Sequence, residues 1–272
     1  MKNLVAVAAL VTVSGLASAG PVTITDEYWG GDRHSYSDVI GAAGKFDIVS
    51  MEANIDVLTK IMTVDIATNF GAASGGLGSF PQYTQSSLSK VSGIAQGIGF
   101  GDLFLSSTGW NPNTTGSMYE NDNHSTGTKW DYAVSLHDRW NGAGSAATLY
   151  KLNGATNDDN VYLSDDFLSG GTFRNGQEVA VDITSNTVLA LANSASMNAS
   201  NNGHVVFTLD LDGTDLENIA HYGIHWNMTC GNDTIEGQYN HAVPEPSSLF
   251  IMLLGLACIG GASFQRKKTQ TT

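Results

Sequence analysis

Cysteine and positive charge are both scarce in this sequence, which has two cysteines and 12 lysines and arginines in 272 residues. Cys258 falls in an apolar run near the C-terminus, so the rest of the chain has Cys230 alone and no disulfide forms within it. A lone thiol in an oxidising compartment is either buried or paired between chains. On a strand Trp226 and Met228 share its face, which favours burial. Residues 20–242 contain 8 basic and 25 acidic residues, a net charge of −17. That balance excludes nucleic acid as a partner, because such binding rests on basic contacts to phosphate. Catalytic signatures are missing too: there is no G-x-S-x-G elbow, no H-E-x-x-H helix and no phosphate-cradling glycine loop ahead of a helix. A glycosidase needs only two carboxylates at the right separation, and among 25 acids that pair is unassigned. A non-enzymatic role is the expectation. No period of about 20–50 residues recurs, so a solenoid or propeller is not supported.

Helix-forming runs are few, while short alternating segments recur between clusters of Gly, Asn, Asp and Ser. This reads as all-β. In "KWDYAVSLHD" residues Trp130, Tyr132, Val134 and Leu136 face one way and Asp131, Ala133, Ser135 and His137 the other. "GKFDIVSMEANI" and "LTKIMTVDIATNF" alternate similarly, the second setting Ile61, Thr63, Asp65 and Ala67 opposite Met62, Val64 and Ile66. Six further segments, "GIGFGDLFLSS", "ATLYKL", "NVYLS", "EVAVDIT", "GHVVFTLDL" and "YGIHWNMTC", bring the expected strands to nine. Nine strands in a body of this length predict a single β-sandwich or jelly-roll-like domain. "SDVIGAAG" suits a helical turn, and Thr214 with Glu217 offers a capping-box start for "DLENIA". "NTVLALANSASMNAS" fits helix or strand, and the polar, glycine-rich stretch 69–93 reads as a long loop.

Acidity is compatible with divalent cations, and equally with solubility alone. The densest carboxylate group is "TLDLDGTDLE". In a strand Asp210 and Asp212 point the same way, and a turn at Gly213 brings Asp215 towards them, a candidate calcium cage. It departs from an EF-hand loop, with glycine at the fourth position instead of the sixth and no glutamate at the twelfth. Asp158-Asp159 and Asp165-Asp166 flank "NVYLS" as further loop carboxylates. Asp102, set among apolar residues in "GFGDLFL", is expensive to bury unless a metal, an arginine or solvent meets it. His221 and His225, with His241 nearby, have zinc-pair spacing, but no cysteine or acidic third ligand accompanies them, so hydrogen-bonded or surface histidine is expected. Trp29, Trp110 and Trp140 all sit in turn-like surroundings and are candidate glycan contacts, since a pyranose face stacks on a flat apolar ring. Capping of the core is the alternative use of the same rings. Five N-x-S/T sequons, at Asn113, Asn123, Asn198, Asn227 and Asn232, are read as incidental.

The two ends carry a different message. Lys2, an apolar stretch Leu4 to Leu16 and Ala17-Ser18-Ala19 have the order of a secretory signal peptide cleaved after Ala19. At the other end Pro244-Glu245-Pro246 precedes an apolar run, Leu249 to Phe264, followed by Arg266, Lys267 and Lys268. As a helix this run covers roughly 24 Å, short of a hydrocarbon core of roughly 30 Å, so a thin span needs Ser247, Ser248 and Gln265 at the interface. The basic cluster holds its flank on the cytoplasmic side and leaves the bulk outside.

Triplet, apolar span and basic tail together resemble the PEP-CTERM sorting signal of exosortase-dependent bacterial surface proteins; an ordinary tail anchor is the alternative. The resemblance covers about the last 30 residues. It implies a Gram-negative envelope, recognition by an exosortase, removal of the tail near the triplet, and delivery to the cell surface or extracellular matrix. The expected organisation is a signal peptide at 1–19, a β-sandwich body at 20–242 and a sorting signal with a transmembrane helix at 243–268, which holds the chain in the membrane until processing. The body is expected to be structural or adhesive, with exopolysaccharide as its partner and calcium as a stabilising ion. A secreted polysaccharide-active hydrolase or a noncatalytic carbohydrate-binding module on the same fold is the alternative.

Overall fold

The computed structural model describes residues 20–31, 38–70, 98–140, 143–152, 160–168, 173–185, 188–200 and 203–240. Their strands are β1 (Val22–Thr25), β2 (Ile48–Asp56), β3 (Ile61–Thr68), β4 (Leu103–Ser106), β5 (Tyr132–Leu136), β6 (Gly144–Leu152), β7 (Val161–Leu163), β8 (Glu178–Val181), β9 (Val188–Ser200), β10 (His204–Asp210), β11 (His221–Asn227) and β12 (Thr234–Asn240). Two one-turn helices, α1 (Ala43–Phe46) and α2 (Ser164–Phe167), accompany them. The all-β expectation holds. The strands do not divide into the two comparable facing sheets of a sandwich, however. Ten form one antiparallel sheet in the order β1-β2-β3-β10-β9-β6-β5-β4-β11-β12, and β7 pairs with β8 separately. The long sheet curls until Cα atoms of its end strands, β1 and β12, come within 8 Å, giving a nearly closed sheet with one unpaired seam.

Period-two alternation explains the interior. Met51, Ala53 and Ile55 of β2, Met62, Val64 and Ile66 of β3, and Val205, Phe207 and Leu209 of β10 are buried in one cluster. Register aligns them: Val64 stands opposite both Ala53 and Phe207. Tyr132, Val134 and Leu136 of β5 and Tyr222, Ile224 and Trp226 of β11 complete the same interior. Each such apolar side chain contributes roughly 1.5–3 kcal/mol by leaving water.

Trp130 departs from the face assigned to it. It lies ahead of β5 and joins Phe104, Ala133, Leu152, Val161 and Val181 in a second cluster. Phe104 and Ala133, which stand opposite each other in register, belong to the outer face of the long sheet, and β7 and β8 cover it there. All of β5 is therefore buried. The undecided segment is β9, a 13-residue strand, while β1 and β12 had no sequence expectation. The proposed capping box at Thr214 is absent: the Thr214 hydroxyl donates to the Leu211 carbonyl (2.6 Å), and Glu217 instead accepts from the Gly213 N–H (3.1 Å) and pairs with Lys60 (3.3 Å).

Asp102 fastens the two layers. Its buried carboxylate accepts from the Leu136 N–H (3.0 Å) and the Val181 N–H (2.8 Å) and meets the Arg139 guanidinium at 3.2 Å. An arginine and two backbone donors thus offset the burial cost that its apolar setting implies.

Candidate functional site

The seam between β1 and β12 opens outward into a groove of about 230 Å³. Thr23 and Thr25 form one bank, Glu236 and Gln238 the other, and Tyr28, Trp110 and Tyr119 close it from neighbouring loops. Gly237 makes the seam tight: a Cβ there would lie 2.6 Å from the Ile24 side chain. Tyr28 folds back over Gly30, where a Cβ would meet the ring at 2.0 Å.

Three aromatic rings are in contact here. Tyr28 stacks on Tyr119 with centroids 5.9 Å apart, and Tyr119 meets Trp110 edge-on at 5.0 Å. Their loops are held by short-range hydrogen bonds. Asn113 Oδ1 accepts from the Thr115 N–H (2.9 Å) and hydroxyl (2.7 Å), and Asn123 Oδ1 accepts in the same way from Ser125 (2.8 and 2.6 Å). Two of the five sequons are therefore side-chain-capped turns. At the tip Met118 and Tyr119 both adopt left-handed backbone, with φ of 51° and 61°. Residues other than glycine pay roughly 1–2 kcal/mol each for that conformation, and here it delivers the Tyr119 ring to the groove.

Behind the rings lies a buried polar network. His225 and Glu236 are directly opposite in the β11–β12 register. Glu236 accepts from both sides, Oε1 lying 2.8 Å from His225 Nδ1 and Oε2 accepting from the Trp110 indole N–H at 2.8 Å. The second ring nitrogen of His225 lies 2.7 Å from the Glu178 carbonyl. Burial opposes a charge on His225, but Glu236 and then Glu178 outweigh it and hold its pKa above the ordinary value. Asp122 accepts from the Tyr28 hydroxyl (2.8 Å) and the Asn113 N–H (2.9 Å). Burial and the nearby Glu236 charge push Asp122 up to about 7.

Of the three tryptophans singled out from sequence, Trp110 lines the groove. Trp29 lies beside it in the chain fold, its N–H donating to the Met118 carbonyl at 2.9 Å. Trp140 is elsewhere: it packs against the central core and covers Gly99, where a Cβ would approach its ring to 2.8 Å.

In the carboxylate group, Asp215 accepts from the Tyr132 hydroxyl (3.0 Å) and is paired with Lys151. Asp210 accepts from the Asp212 N–H (3.0 Å), and the Asp212 carbonyl accepts from Asn193 (2.8 Å). Among the described residues no three His, Cys, Asp or Glu side chains are placed to hold a metal ion. Asp165 and Asp166 accept from the Gly176 and Leu163 N–H groups at 3.3 and 2.8 Å. His221 is exposed with Nδ1 2.7 Å from Asn240 Oδ1. Asp158, Asp159, His241 and the terminal residues Pro244, Glu245, Pro246, Arg266, Lys267 and Lys268 lie outside the described residues, as do residues 1–19 and 71–97, which take in most of the stretch 69–93 expected as a loop. Among the described residues no helix is long and apolar enough to cross a membrane.

Tyr28, Tyr119, Glu236 and the buried state of His225 were not evident in the sequence. They are separated by up to about 200 positions and carry no spacing signature; only folding brings them to one seam.

No curated protein and no solved structure matches the chain. Residues 242–267 match the family model of the PEP-CTERM protein-sorting motif, so the chain carries at its C-terminus the signal for exosortase-dependent export and sorting to the cell surface.

Proposed function

We propose that this protein is an adhesive component of the cell surface or extracellular matrix whose body holds a matrix polysaccharide in the seam groove without cleaving it. Two part-exposed aromatic rings in an open groove, Trp110 and Tyr119, carry this reading, because such rings offer flat apolar faces for sugar stacking, and the buried Tyr28 ring backs Tyr119. The left-handed backbone at Met118 and Tyr119 supports it: strain is retained where it positions a group in use. On this reading residues 1–19 are removed on export, and the apolar run Leu249–Phe264 holds the chain in a Gram-negative membrane until an exosortase acts. Calcium, bound at carboxylates such as Asp210 and Asp212, would add to stability.

A polysaccharide hydrolase is the second reading, favoured by the raised pKa of Asp122 beside Glu236. Both oxygens of each carboxylate are nevertheless engaged by protein groups, which suits a fixed wall better than proton transfer.

The test uses the exported protein and Tyr119→Gly. Glycine relieves the left-handed strain and removes the ring, so the variant keeps its thermal stability to within about 1 kcal/mol while its retention on the host's own exopolysaccharide falls. Undiminished retention sinks the groove reading. Release of new reducing ends from the polymer selects the hydrolase. Repeating retention in excess chelator reports on calcium.

A further inference from the structure

The charge and ring content of the groove point to a narrower ligand class, and this inference rests on the groove being the glycan site. We infer that it selects a sugar bearing a free ammonium group, as in a polymer of N-deacetylated amino sugars.

Among the described residues Glu27 and Glu236 line the groove and no lysine, arginine or histidine does. Glu236 is already neutralised in part by His225 and held by Trp110. Glu27 is different. It is exposed and makes no hydrogen bond or ion pair with any described residue. A neutral glucan offers that carboxylate hydroxyl donors but no opposite charge. A uronate or phosphate polymer is repelled by it and by a body of net charge −17. An ammonium group is matched twice, by the carboxylate and by the part-exposed, electron-rich rings of Trp110 and Tyr119.

Size and shape favour a sugar over a peptide. At about 230 Å³ the groove falls below the roughly 300–1,000 Å³ of sites that enclose drug-sized ligands. It takes one residue of a chain that continues into solvent. A peptide strand added between β1 and β12 would need them about 9.5 Å apart, twice the ordinary strand spacing, whereas their Cα atoms come within 8 Å.

The experiment is a calorimetric titration of the exported protein with glucosamine hexamer and with N-acetylglucosamine hexamer, at a pH where the free amines are protonated. The expected result is at least about fivefold tighter binding of the deacetylated hexamer, weakened by salt. In Glu27→Gln, an exposed change that leaves the fold intact, the two hexamers bind alike. Equal binding of both by the native protein overturns the ammonium inference while leaving the groove reading in place. Failure of both hexamers, together with undiminished retention of Tyr119→Gly on exopolysaccharide, removes both. Binding of a lysine-rich peptide in preference to either hexamer assigns the groove to a protein partner and overturns the proposal.

Discussion

His225 and Glu236 face one another across β11 and β12 with Nδ1 2.8 Å from Oε1, both side chains shut away from solvent. The pair connects the floor of the groove to its wall, because the other oxygen of Glu236 fixes the Trp110 indole. Replacing Glu236 by glutamine leaves burial acting on His225 without its main counterweight. The ring's pKa then falls, seen in the NMR titration of its Cε1 proton, and stability drops by about 2 kcal/mol as charge-assisted hydrogen bonds are lost. An unchanged titration would show that the pair does not govern the ring.

Stability is expected to decline as pH rises from about 4 to about 8. Burial pushes Asp122 up to about 7; burial and the neighbouring Asp38 push Asp26 up to about 8, against 3.8 for the free carboxyl. Both Asp26 oxygens are shielded from solvent, and the groups that act on it are Asp38, the Tyr28 N–H, Asp233 and Arg174. In this window the folded state binds more protons than the unfolded chain, so each rise in pH favours unfolding. His225 acts in the same direction, since a raised histidine pKa stabilises below its unfolded value and ceases to as pH passes the folded one. Asp56, Asp215 and Glu217 are lowered by hydrogen bonds, and their contribution is lost only on acidification below about 4. Calorimetry should find the highest Tm at mildly acidic pH and a fall of at least about 5 °C by pH 8.5. A Tm that rises over that range contradicts the burial of Asp26 and Asp122.

Cys230 is fully buried, and burial pushes its thiol up to about 12. It should resist a thiol reagent in the native protein and react stoichiometrically in denaturant. Rapid native labelling, or a disulfide-linked dimer, would refute its placement in the core.

Local pattern carried a large share of the fold. β2, β3, β5, β10 and β11 follow two-residue alternation, which is a property of neighbours in the chain. β1 has only four residues and β12 carries Gly237 and polar side chains, so neither gives a strong periodic signal; both are strands because the curled sheet supplies partners. Trp130 was misplaced for a related reason: alternation assigns a face but not where a strand begins. The cost of burying Asp102 was legible, while the identity of its partner, Arg139, was not.

By itself the sequence determined the all-β character and the C-terminal address, because both reside in contiguous residues: period-two hydrophobicity in one case, and the triplet, apolar run and basic tail matched at 242–267 in the other. Tertiary structure alone decided that ten strands make one curled sheet, that its ends stop short of pairing, and that Tyr28, Trp110, Tyr119 and Glu236 meet at the gap. Sheet closure depends on twist accumulated over all ten strands and on steric details such as Gly237 against Ile24, and no short stretch of sequence encodes a sum of that kind.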